Sequence, residues 1–153
     1  MNPNQMIETW EIHNRINLYL LDAIKEEELT DIAASKGRTV GEQLAHIHNV
    51  RLMWLKVADP DLFTEQMKIE KDAITKKILK DELSKSAIAI SQLMKKGLEQ
   101  GKIKNFKPHP FAFLGYLISH ESHHRGQIML TLKQAGHPVD KKIQFGLWEW
   151  GTR

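Results

Sequence analysis

Cysteine is absent from this chain. That excludes disulfides, a thiolate nucleophile and any cysteine-ligated metal, so a metal here must sit on His, Asp or Glu. Long apolar runs are missing too. The longest, such as residues 111–118, fall far short of the ~20 residues that span a bilayer, and no membrane partner is expected. The opening MNPNQMIETW lacks a basic segment followed by an apolar one. No signal peptide is expected, and the cytoplasm is the expected location. A strong excess of one charge is also lacking. The net charge is +3, and the lysines of KIEKDAITKKILKDELSK alternate with Glu and Asp. This reads as a solvated helix face and not as a phosphate-binding stripe. No RNA-binding aromatic motif or zinc-finger spacing is present, so nucleic acid is not an expected partner.

Strand-like alternation is almost absent, and helical periodicity takes its place. The 153 residues suit one domain with a real core. A first helix is expected over residues 5–29, with Met6, Trp10, Ile16, Leu20 and Ile24 as its stripe. Thr39 and Glu42 form a capping box, which predicts a second helix from there to about residue 57, stopped by Asp59-Pro60-Asp61. Residues 60–74 read as a long loop with a helical turn. A third helix is expected over residues 75–100, ended by Gly101. A fourth is expected to begin near KPHPFAF, residues 107–113, with Pro110 in its first turn, and to run to about residue 134, with Gly136 and Pro138 as its stop. The tail VDKKIQFGLWEWGTR follows, its Trp148 and Trp150 expected to pin it to the bundle or to a second subunit. Four long helices in one domain predict an all-α four-helix bundle, an architecture that builds metal sites from inward side chains on facing helices.

Eight histidines stand out in a chain without cysteine. His120 and His124 lie four apart, so on a helix they share a face with their Cβ atoms about 6 Å apart. Phe113, Leu117, Ile128 and Leu132 bracket them on that face, which points the pair inward, where two imidazoles can reach one ion. A third ligand is to be sought at His46 or His48, in LAHIHNV. His46 shares a side with Val50, Met53 and Trp54, and His48 shares one with Leu44, Leu52 and Leu55. Periodicity does not choose between them. His123 falls on another part of its helix, and His13, His109 and His137 are expected in solvated positions.

HESHHRGQ, residues 120–127, also contains H-E-x-x-H, the pattern in which two histidines bind zinc and the glutamate activates water. The metzincin extension is missing, since Gln127 and Leu130 stand where Gly and His belong. No strand is available to align a peptide. Glu121 is therefore expected to be solvated or salt-bridged, with Arg125 pairing to Glu121 or Glu42. Gly126 inside a helix is unfavourable by about 1 kcal/mol, and a close helix approach would account for it. Met53 and Trp54 are expected in core packing, with a pocket wall as the alternative.

Several of these residues together carry a family resemblance. They are His46 in an L-x-H-I opening, Trp54-Leu55 after it, H-x-x-x-H-R-G-Q at residues 120–127, and L-W-E-W at residues 147–150. In order and over nearly the whole chain, the sequence resembles the DinB-like family of YfiT-type metal-dependent hydrolases. The resemblance implies a bundle of up-down-down-up topology with a long crossover, and a homodimer. It implies a divalent metal, zinc or nickel, on His46, His120 and His124, and so selects His46 over His48. It implies an enzyme acting on a small molecule, as a hydrolase or as a transferase using a low-molecular-weight thiol. Such chemistry suits a chain without cysteine, because the nucleophile comes from solvent or a co-substrate. A metal-binding bundle without catalysis, serving in stress or interaction, is the alternative, and a zinc metallopeptidase is a third reading.

Overall fold

Local signals set the helices of the computed structural model, which describes residues 2–153. At Thr39 the capping box closes: its hydroxyl accepts from the Glu42 amide at 3.1 Å, and the Glu42 carboxylate accepts from the Thr39 amide at 2.8 Å. Asn2 caps α1 (Pro3–Ala23), and α2 (Val40–Ala58) follows from Thr39. Asp59 caps the short α3 (Pro60–Thr64), and Thr75 caps α4 (Lys76–Gln100), which stops at Gly101 in the left-handed conformation, φ 71°. The His109 ring accepts from the Ala112 amide at 3.2 Å and starts α5 (Pro110–Gln134). The tail contains one more short helix, α6 (Lys141–Gly146). Among the described residues there is no strand, only an isolated bridge between Ile103 and Phe106.

One boundary differs from expectation. The first helix stops at Ala23, Ile24 is extended, and a separate 3₁₀ turn occupies Glu26–Thr30. Glu26, Glu27 and Glu28 explain the break. At the end of a continuous helix they would face the negative end of its dipole, whereas in the first turn of a new one they face the positive end.

Side-chain contacts give the directions. Trp10 bonds to Ala87 and Lys80 pairs with Asp22, so α1 and α4 run antiparallel. His48 meets Ser86 and Asp59 meets Lys96, so α2 and α4 run parallel. Gln43 reaches Thr131 and Arg51 reaches Glu121, so α2 and α5 run antiparallel. The order is up-down-down-up, with residues 59–75 as the crossover.

The interior is layered. Met6, Trp10, Leu52, Leu55, Ile90, Leu93 and Phe113 form one apolar cluster, and Leu20, Leu44, Leu79, Leu83, Ile128 and Leu132 belong to the other. Between them every long helix contributes buried polar groups: His13, Asn14 and Asn17 from α1, His48 and Arg51 from α2, Ser86 from α4, and Glu121 from α5.

Candidate metal centre

Antiparallel packing of α2 on α5 places His46 opposite His120 and His124. The three imidazoles offer nitrogens that all lie within 4.8 Å of one another. Their ring centroids are 4.7 to 5.4 Å apart. His46 and His120 are half-buried and His124 is buried.

His48, two residues on, points elsewhere. Its Nε2 donates to the Met67 carbonyl at 2.8 Å and its Nδ1 meets the Ser86 hydroxyl at 3.0 Å. A step of two residues turns about 200° on a helix, so one of the pair faces the site and the other faces α4 and the crossover.

The electrostatics favour neutral rings. Burial pushes the His124 pKa down to about 4, with the neighbouring His120 and His46 adding to the effect. Burial also lowers His46, helped by Arg38 and His120, and it lowers His120. Neutral imidazoles keep the lone pairs that metals require. Gln43 fixes one tautomer: its Oε1 accepts from His124 Nδ1 at 3.4 Å, which leaves Nε2 as the free donor atom. The Gln43 amide is oriented in turn, donating to Thr131 Oγ1 at 3.5 Å while that hydroxyl donates to the Gln127 carbonyl at 2.8 Å. His120 Nδ1 is buried with no hydrogen-bond partner. Three convergent imidazoles, all poised neutral and one with an orphaned nitrogen, fit a divalent ion.

Glu121 does not face this group. Its carboxylate accepts from Arg51 Nε and Nη2 at 2.7 and 2.8 Å, from Asn17 Nδ2 at 2.7 Å, and meets His13 Nε2 at 2.9 Å. Burial alone would raise its pKa, but Arg51, with His13, holds the carboxyl far below the usual range. A carboxylate with both oxygens committed is no general base for a water at the histidines, so the H-E-x-x-H glutamate has no protease role here.

Other expectations need correction. His13 is fully buried, not solvated, and burial lowers its pKa despite Glu121. Arg125 pairs with neither Glu121 nor Glu42. It donates to Asn17 Oδ1 at 2.6 Å and Ser122 Oγ at 3.0 Å, because Arg51 already occupies Glu121 and Lys71 takes Glu42. Gly126 is exposed, and a Cβ there would meet nothing within 4 Å, so no close helix approach accounts for it. Trp148 is 81% exposed. It lines a groove of about 590 Å³ with Ile118, Met129 and Trp150, apart from the three histidines. Trp54 packs edge-on against Phe106, Phe113 and Tyr116, while Met53 is exposed. Tyr116 in turn stacks on His120.

Sequence reasoning missed Arg51, His13 and Asn17. The signal was present: His13 lies on the stripe of Trp10, Ile16 and Leu20, and Arg51 on that of Leu44, His48 and Leu55. A charged or polar residue on an apolar stripe calls for a buried partner.

Among the described residues no helix is long and apolar enough to cross a membrane. The family model described as DinB matches residues 1–142. The structure is similar to the crystal structure of a DinB-like protein from Bacillus cereus, with a TM-score of 0.69 and 24% identity over 88% of this chain and 93% of that one. At that identity the likeness carries the fold alone. No curated protein matches the chain.

Proposed function

The chain belongs to the DinB family, and from that premise we propose that it is a divalent-metal-dependent enzyme acting on a small molecule, as a thiol S-transferase or hydrolase. His46, His120 and His124 hold the ion, with zinc or nickel the best match for an imidazole set. The observation that carries this reading is the count of donors. The group contains three histidines and no fourth His, Asp or Glu among the described residues. Structural zinc sites close with four protein ligands, whereas catalytic ones keep a position open.

When bound, such an ion supplies positive charge that lowers the pKa of a water or thiol at that position. The chain's own residues do the rest. Gln43 holds the His124 tautomer. Arg51, His13 and Asn17 hold Glu121, and with it the turn of α5 that carries His120. Tyr116 stacks on His120 and backs it with the aromatic cluster of Trp54, Phe106 and Phe113. The nucleophile comes from solvent or a thiol co-substrate, since the protein has no cysteine.

The test is elemental analysis of the tag-free protein, followed by a screen of low-molecular-weight thiols against electrophiles. One equivalent of metal and a metal-dependent transfer or hydrolysis are expected. A protein that takes up no zinc, nickel or manganese on reconstitution is not a metalloenzyme. One that binds metal but admits no exogenous ligand to it is a structural site.

A further inference from the structure

His46 borders a cleft of about 540 Å³. Three cationic side chains line it, Arg38, Lys68 and Lys71, with two carboxylates, Glu42 and Glu70. Both carboxylates are already engaged: Lys68 pairs with Glu70 at 3.0 Å and Lys71 with Glu42 at 2.7 Å. Arg38 alone is left without a carboxylate among the described residues. It also lines a second cleft of about 290 Å³, shared with Gln43 and Thr131. Arg38 therefore stands where the opening beside His46 meets the opening beside the glutamine that holds His124. Its charge reaches both histidines.

The backbone that presents Arg38 is pinned. Lys36 and Gly37 take positive φ, 66° and 102°, in a turn closed by the Lys36 amide on the Ala33 carbonyl at 2.8 Å. The Val40 amide donates to the Asp31 carbonyl at 3.0 Å, Gln134 accepts from the Ala34 amide at 2.8 Å, and His137 meets Asp31 at 2.7 Å. Thr39 then starts α2. A long cation on a fixed base, beside three imidazoles and the ion they would hold, concentrates positive charge in a small space. An anion bound there offsets it, and a guanidinium offers a carboxylate two parallel hydrogen bonds. Glu42 and Glu70 flank the cleft, so a monoanion enters against less repulsion than a phosphate dianion does.

We propose that the cleft beside His46 takes its substrate through a carboxylate held by Arg38, with the substrate's reacting group turned to the three histidines. The orientation of the reacting group rests on the metalloenzyme reading; the carboxylate site does not.

The test uses zinc-reconstituted protein and calorimetric titration with 3-mercaptopropionate and 3-mercaptopropanol, which share a thiol and differ in the carboxylate. The parent is expected to prefer the acid by roughly tenfold or more, the range of a charge-assisted pair. Arg38→Gln is expected to erase the preference, bringing acid and alcohol to equal affinity, whereas Lys36→Gln keeps it. Equal affinities in the parent, or a preference that survives in Arg38→Gln, overturn the proposal. If the protein holds no zinc, the metalloenzyme reading fails by itself. The Arg38 Nε–H resonance then reports on metal-free protein titrated with propionate, propanol and inorganic phosphate. A shift with propionate alone supports the carboxylate site. No shift, or a larger one with phosphate, overturns it.

Discussion

Arg51 and Glu121 face each other through two parallel hydrogen bonds of 2.7 and 2.8 Å, with both side chains fully buried. Removing one partner leaves the other charge uncompensated in the interior. Glu121→Gln is expected to lower stability by about 3–5 kcal/mol, read by urea denaturation. The replacement of both by apolar residues is expected to lose less than the two single changes summed. A Glu121→Gln loss below ~1 kcal/mol, the scale of a surface pair, would contradict the buried pairing.

Stability should depend on pH through the histidines. His13, His46, His48, His120 and His124 are all lowered from 6.5, His124 to about 4. Over that window the unfolded chain binds more protons than the folded one, so stability rises with pH. The metal-free protein is expected to lose stability steadily from pH 7 to pH 5 in urea titrations. His137 has the opposite sign, since its bond to Asp31 raises it, but it is exposed and only weakly opposes the trend. Glu121 acts lower, its contribution fading as pH falls below about 4.5 towards its depressed value. A profile flat between pH 7 and 5 would refute the neutral, buried rings.

The two histidines of LAHIHNV should separate cleanly. His46→Ala is expected to abolish stoichiometric metal by elemental analysis with little change in fold stability. His48→Ala is expected to keep the metal and to lose roughly 1–3 kcal/mol, because the Met67 carbonyl and Ser86 lose a buried partner. The reverse pattern would move the third ligand to His48.

Gln43→Leu tests the outer hydrogen bond. Metal affinity is expected to fall about 10–100-fold in competition with a chromophoric chelator, while the urea midpoint hardly moves. Unchanged affinity would mean that His124 keeps its tautomer without Gln43.

Gly126→Ala is expected to stabilise the protein by about 0.5–1 kcal/mol, since the helix gains a better former and the added methyl meets nothing. Destabilisation would show that the exposed face of α5 is covered in solution, and analytical ultracentrifugation would reveal by what.

Much of the architecture was legible in the residues, for identifiable reasons. Thr39 and Glu42, Pro110 and Gly101 are local signals whose chemistry acts within one turn, and each set its boundary as expected. The spacing of His120 and His124 placed both on the inner face. Choosing His46 over His48 needed the family resemblance, because both faces of that turn are apolar and only the packing of α4 and the crossover separates them. The Arg51 network was not assembled from sequence because its members come from four helices and no spacing links them. The end of α1 was missed because helical periodicity continues through Ile24 while the charge of Glu26, Glu27 and Glu28 breaks the helix.

The polar layer between the two apolar clusters has a consequence for register. Apolar side chains on a bundle tolerate sliding, since one leucine replaces another a turn away. A helix displaced by one turn moves about 5.4 Å. Such a slip of α2 or α5 would part the Arg51 guanidinium from the Glu121 carboxylate in the interior, and a slip of α1 would take Asn14 from the one and His13 and Asn17 from the other. The layer thus acts as a key cut at one depth, excluding sliding alternatives that the leucine faces would accept. His46 and His120 lie five residues and one residue from those keyed positions, so the same device that rejects slipped bundles also sets the histidines level with one another.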